Sequence, residues 1–184
     1  MQIFSSSQHY GAIARWLHWA TVLLVIIAWL LGIGGDALPG KPAQAAGLFV
    51  HITAGLLVII LTAMRLVWRG VDSPPQVDMG NNPYARWVLL AAKLAHLGLY
   101  ALLIVVPLVG IGVQFARGNG LPLFGLTQIA SPWLADRAFA RTLKEIHEVL
   151  AHLLIVLALL HAGAALLHHW VWGDRTLTRM LPGK

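Results

Sequence analysis

Residues 145–173 read EIHEVLAHLLIVLALLHAGAALLHHWVWG. From Val149 onward this stretch has no Asp, Glu, Lys or Arg. A helix needs about 20 apolar residues to cross a hydrocarbon core of about 30 Å, so the run is long enough to span a membrane. It nevertheless carries histidines, and ionisable groups inside a span are costly enough to suggest function. His147 and His161 are fourteen positions apart, about 21 Å along a helix axis and within about 40° of one face. His168 lies seven further on, about 20° from His161, so three imidazoles share a stripe. His152 falls about 140° from His147, on another face.

Working outward, three more uncharged apolar stretches occupy 16–35, 42–64 and 94–116. Tryptophans stand at several of the ends (Trp16, Trp68, Trp87, Trp170, Trp172), where an interfacial belt places them. The reading is an all-α, integral membrane four-helix bundle, a single membrane domain over 1–184, with spans near 12–35, 45–68, 87–115 and 145–172. Composition agrees: of 184 residues 58% are hydrophobic and only 11% charged, too few polar groups to cover a soluble domain. The first run lacks a strongly basic leader and is longer than the apolar core of a secretory signal, so it reads as a retained span. There is no cysteine, which excludes disulfides and thiolate-held iron–sulfur clusters. The net charge of +6 sits at the ends of apolar runs with no polybasic block, so nucleic acid is not an expected partner; membrane lipid is.

Basic residues also orient the chain. With the N-terminus inside, the inner segments carry Arg15, Arg65, Arg69, Arg86, Lys93, Arg175, Arg179 and Lys184, and the outer loops Lys41, Arg117, Arg137, Arg141 and Lys144. Eight against five places both termini in the cytoplasm. Asp72-Ser73-Pro74-Pro75 is expected to end the second helix, because proline lacks an amide donor and restricts its predecessor. The longest loop, roughly 117–141, lies outside on this topology, with a short surface helix expected around 132–139. Glu145 and Glu148 suit the start of the fourth helix, and Pro107 is expected to kink the third.

Depth decides which histidines belong together. His18 lies near the inner end of the first span and His51 near the outer end of the second. Alternating helices then pair His18 with His161 inside and His51 with His147 outside. This pairing does not depend on which way the protein faces. Each pair would fill both axial positions of a haem iron, so the expectation is two b haems between the helices, in sites suited to electron transfer. Gly55, one turn after His51, and the small residues 162–165 beside His161 leave room for porphyrin. A lone membrane histidine is more often a hydrogen-bonding or snorkelling residue; four at matched depths argue otherwise. His9 reads as a surface residue, His169 as interfacial, and His96, with no evident partner, as a packing or supporting group. A zinc or copper site would call for a closer cluster with Asp, Glu or Cys.

The ordered set of motifs resembles the bacterial cytochrome b561 family. It comprises Arg15-Trp16-Leu17-His18-Trp19, His51 with Gly55 and Arg65-Leu66, and His96, Tyr100 and Pro107 on the third span. Ile146-His147-Glu148, His161-Ala162, His168-His169 and Trp172 follow, with the tail Leu177-Thr178-Arg179-Met180-Leu181-Pro182. The loop motifs Arg117-Gly118-Asn119 and Phe124-Gly125-Leu126-Thr127 match as well, so the resemblance covers nearly the whole chain.

That resemblance implies a four-helix, two-haem cytochrome of the bacterial inner membrane, with His18, His51, His147 and His161 as iron ligands. It implies electron transfer from the periplasmic side to ubiquinone, with superoxide as the donor in a superoxide oxidase-like member. His168 matches a quinone-site histidine, and much of the loop from Gln128 to Ala140 departs from the family pattern. The expected function is thus superoxide:ubiquinone oxidoreduction, with Lys144, Arg117, Arg137 and Arg141 attracting the superoxide anion and His168 serving quinone. The rival is a cytochrome anchor or relay for a periplasmic redox protein. A haem-free proton-coupled transporter using a histidine relay is a third class.

Overall fold

A computed structural model describes residues 2–6, 9–75 and 84–181; Pro182 and Lys184, used above, lie outside the described residues. Helix α1 spans Ala12–Gly34, α2 Gly40–Val71, α3 Ala85–Ala116 and α4 Arg137–Trp170. All four are long and apolar enough to cross a membrane. A two-stranded antiparallel hairpin, β1 (Leu121–Leu123) and β2 (Thr127–Ile129), sits in the loop between α3 and α4.

The connections follow from local chemistry. Between α1 and α2 a 3-10 turn at Gly35–Ala37 leads through Pro39 to Gly40, whose φ of 79° suits glycine. Pro42 then falls in the first turn of α2, where its missing amide costs nothing. Gln44 Nε2 ties this turn by donating to the carbonyls of Asp36 (3.0 Å) and Leu38 (3.2 Å). At the other end, Asp72 closes α2 ahead of the two prolines, its amide donating to Trp68 O at 2.7 Å. Its carboxylate accepts from Ser5 N (2.9 Å), Ser5 Oγ (2.7 Å) and Trp68 Nε1 (3.1 Å), while Phe4 stacks on Trp68. The N-terminal segment is thereby clipped to the end of α2.

Helix α4 begins eight residues before the start that the apolar pattern suggested. Asp136 is the reason: its Oδ1 accepts from Ala138 N (2.9 Å) and Phe139 N (3.0 Å) and caps the helix there. The short surface helix expected around 132–139 is absent; 132–136 are non-helical and Phe139 belongs to the first turn of α4. Glu145 and Glu148 accordingly lie beyond the first turn, not at the helix start. In the hairpin, Phe124 (φ 54°) and Gly125 (φ 76°) form the tight turn, closed by Leu126 N donating to Leu123 O at 3.0 Å.

Helix α1 packs along α2, and α3 along α4, and the main backbone contact between the two pairs is that of α2 with α3. The buried core, Val58, Leu103, Val106 and Leu154 flanked by Leu24, Val25, Leu99 and Leu150, lies at mid-depth. It separates two levels of histidines. Most of the remaining apolar surface faces outward, as lipid-facing helices require.

Candidate functional site

The two histidine levels lie at opposite ends of the bundle. At the end remote from the chain termini, His51 of α2 and His147 of α4 face each other, with ring centroids 6.0 Å apart and planes at 76°. Two imidazoles on opposite sides of one iron, each nitrogen about 2 Å from the metal, put their centroids roughly 6 Å apart. His51 Nδ1 is 2.7 Å from Ala28 O, and His147 Nδ1 is 2.9 Å from Val106 O. A carbonyl can only accept, so both Nδ1 atoms carry the proton and both Nε2 atoms keep a lone pair for a ligand.

Glycines make those bonds possible. A Cβ on Gly32 would lie 3.3 Å from His51 Cε1, and one on Gly110 would lie 3.1 Å from His147 Cε1. Gly32 is one helical turn after Ala28, and Gly110 one turn after Val106. On α1 and on α3 alike, a bare glycine seats the ring while the carbonyl a turn earlier holds its Nδ1–H. Gly55 lies against Pro107, with 3.7 Å between an added Cβ and the proline ring. Among the described residues, the buried Trp29 Nε1 and Thr53 Oγ1 in this half of the bundle have no hydrogen-bond partner. Among the described residues no three His, Asp or Glu converge as they would for a bare metal ion. Two facing imidazoles with free Nε2 atoms fit an iron whose other positions a macrocycle fills.

At the end that carries the termini, the arrangement differs. His161 of α4 meets His96 of α3, with ring centroids 5.3 Å apart. His18 of α1 is met by Arg65 of α2, whose Nη2 is 3.3 Å from His18 Nδ1. A guanidinium only donates, so this Nδ1 accepts and the neutral ring carries its proton on Nε2. Arg65 also lies over the ring of Tyr100, its Cζ 5.4 Å from the centroid. His96, which sequence reasoning left without a partner, is therefore part of this cluster. Arg65 entered in the charge count and as a family-like residue and Tyr100 only as a family-like one, and their depth near His18 was the available signal.

The remaining singled-out residues are apart from both levels. His152 points its Nδ1 at Glu148 O of its own helix (2.7 Å), with its ring edge-on to Trp29. Lys144 pairs with Glu148 at 3.1 Å, both side chains about half exposed. Arg117 caps α3 and is exposed, as are Arg137 and Arg141. His168 lies just past the terminal-end cluster, its Nδ1 hydrogen-bonded to Asp174 and its ring edge-on to Trp172 at 4.3 Å. Asp174 was missed in the sequence because it lies beyond the span, where only the folded turn returns it to the helix.

The profile of the family described as prokaryotic cytochrome b561 matches residues 9–183. The chain is 33% identical to the probable superoxide oxidase CybB of Yersinia pestis over 179 residues, 95% of this chain and 97% of that one. It is 33% identical to cytochrome b561 homolog 1 of Escherichia coli strain K12, over 99% of this chain and 98% of that one. It is also 32% identical to cytochrome b562 of Cereibacter sphaeroides, over 90% of each.

Proposed function

The chain belongs to the prokaryotic cytochrome b561 family, and from that premise we propose that it is a two-haem superoxide:ubiquinone oxidoreductase of the bacterial inner membrane. Membership makes it a bacterial membrane protein that binds b-type haem and transfers electrons. The proposed ligands are His51 and His147 for the periplasmic-side haem and His18 and His161 for the cytoplasmic-side haem, with both termini in the cytoplasm. The observation that carries the reading is the facing pair His51 and His147, at 6.0 Å, each with its Nδ1–H tied to a carbonyl.

Bound haem supplies one-electron redox chemistry between the two faces of the membrane. The chain's own residues do the rest. The Ala28 and Val106 carbonyls hold the two rings and raise the basicity of each Nε2. Val58, Leu103, Val106 and Leu154 keep water out of the space between the two levels. At the cytoplasmic-side site, ligation by His18 through Nε2 requires its proton to move to Nδ1 and Arg65 to leave that atom. Lys144 and Arg117 raise the local concentration of an anionic donor such as superoxide, although Glu148 partly neutralises Lys144. His168 stands at the cytoplasmic edge, where quinone would take electrons and protons. The superoxide reading is further supported by the printed name of the Yersinia pestis relative.

A second reading is favoured by one observation: Leu126 (89% exposed) and Leu134 (94% exposed) project from the loop that carries the hairpin. On a periplasmic loop, such residues suit contact with a soluble redox partner whose electrons the cytochrome would relay. One preparation tests both readings. Protein purified in detergent should show a b-type reduced spectrum at two haems per chain, and pulses of superoxide should reduce added ubiquinone. Two haems with no reaction towards superoxide would leave the relay reading; fewer than two would break the four-ligand assignment.

A further inference from the structure

The turn after α4 does more than end a helix. Val171 N (2.9 Å) and Trp172 N (3.3 Å) both donate to Leu167 O, and Gly173 then takes a φ of 66°, which only glycine adopts without strain. That residue reverses the chain, so that Asp174 N donates back to His168 O at 3.0 Å. The Asp174 carboxylate is then held at both oxygens. Oδ2 accepts from His168 Nδ1, and Oδ1 accepts from Thr176 N at 2.8 Å. Trp172 closes the imidazole from the side, edge-on at 4.3 Å. The tail continues across the start of α1, where Arg15 and Trp19 donate to Leu181 O (3.0 Å) and Met180 O (2.9 Å).

Two consequences follow for His168. A carboxylate only accepts, so Nδ1 carries a proton directed at Asp174, and Nε2 is the nitrogen presented to a ligand. Exposure also grades outward: the His168 side chain is 13% exposed and that of Asp174 35%. The pair spans the step from the interior of the bundle end to the aqueous phase.

We infer that Asp174 is a positioning residue that fixes His168 to hand a proton from its Nε2 to a quinone carbonyl oxygen. This rests on the quinone-reducing reading above. Quinone becomes quinol by taking two electrons and two protons. The electrons are those the protein carries from its one-electron reductant, two superoxide anions each oxidised to dioxygen. In each transfer through His168, the Nε2–H bond breaks and an O–H bond forms on the quinone. Nδ1–H stays on Asp174, whose charge offsets the positive charge of the ring while it holds both protons. Once the quinol has left, Nε2 is exposed again and takes its next proton from water, Nδ1–H remaining on Asp174 throughout. Gly173 and Thr176 enter the chemistry only by holding the carboxylate in place.

The test uses the haem-loaded protein, reduced with dithionite and mixed with ubiquinone-1 in a stopped-flow instrument. The variants are Asp174→Asn, Asp174→Glu and His168→Gln, with the reduced haem spectrum as the check on folding. Asp174→Asn should lower the maximal rate of haem oxidation roughly ten-fold or more, general acid catalysis contributing factors of this order and above. The ubiquinone-1 concentration at half-maximal rate should stay within about two-fold, and the slowing in D2O should increase. Asp174→Glu, which keeps the charge, should recover much of the rate, and His168→Gln should not. If Asp174→Asn matches wild type, or if Asn and Glu variants fall equally or lose haem, Asp174 is only a helix-end clip and the inference is wrong. Wild-type protein that passes no electrons to ubiquinone-1 would instead overturn the quinone reading, and this inference with it.

Discussion

Substituting Gly110 by alanine probes the proposed haem site with one carbon atom. An ideal Cβ there would sit 3.1 Å from His147 Cε1 and 3.3 Å from Nδ1, inside the 3.5–4.0 Å at which carbon atoms pack comfortably. The ring must retreat by a few tenths of an ångström. It is not free to do so, because Nδ1–H is tied at 2.9 Å to Val106 O on the same helix as the new methyl group. Overpacking of this kind costs about 1–3 kcal/mol. Loss of an outer-sphere hydrogen bond to a ligand weakens metal binding by roughly 10–100-fold, which is about 1.4–2.7 kcal/mol, so the two magnitudes agree. Gly32→Ala should weaken binding less, since its Cβ would stand 3.3 Å and 3.6 Å from the His51 ring, and Gly70→Ala, with nothing within 4 Å, should have no effect. The assay is titration of haem-depleted protein with haem, followed by Soret absorbance, with bound haem per chain measured after desalting. Wild-type affinity in Gly110→Ala, or an equal loss in Gly70→Ala, would refute the reasoning that glycine seats a ligand histidine.

Other outcomes follow from the same geometry. Asp136→Ala removes the cap from two amides of α4 and should lower stability by about 1 kcal/mol, read as a fall in the thermal midpoint in detergent with haem content unchanged. Lys144 and Glu148 are exposed partners at helical spacing, so Lys144→Ala should cost at most about 0.5 kcal/mol of stability. If Lys144 steers superoxide, the same variant should slow haem reduction at low ionic strength while Glu148→Gln speeds it, and both differences should fade in high salt. Burial alone would push the Asp174 carboxyl up, but hydrogen bonds from His168 and Thr176 outweigh it and hold the group below its ordinary range. Its contribution to the tail turn is therefore present above about pH 4 and lost as pH falls through the depressed folded value. Hydrogen-exchange protection of 174–181, corrected for intrinsic rates, should drop on acidification, and Asp174→Asn should show low protection already at neutral pH.

Four spans and the depth of each histidine were legible in the chain because both depend on local pattern. An uncharged run of sufficient length is a span wherever it packs, and a rise of 1.5 Å per residue sets His147 and His161 at opposite ends of one helix. The helix-end chemistry was partly legible: the prolines after Asp72 mark the end of α2, whereas Asp136, far from any apolar run, extends α4 unannounced. What sequence could not reveal is the register of one helix against another. Every residue has a carbonyl, so nothing marks those of Ala28 and Val106 as the acceptors for His51 and His147. Gly32 and Gly110 gain their meaning only from the rings that face them across the bundle. His96 lacked a partner in the sequence because the pairing argument used helix ends alone, and its contact with His161 depends on how α3 rotates against α4. Arg65 beside His18, and Asp174 returned to His168 by a positive-φ glycine, likewise arise from packing and chain reversal. Periodicity along a helix is a one-dimensional property; orientation of a ring, and the proton it carries, is settled by what the neighbouring backbone presents to it.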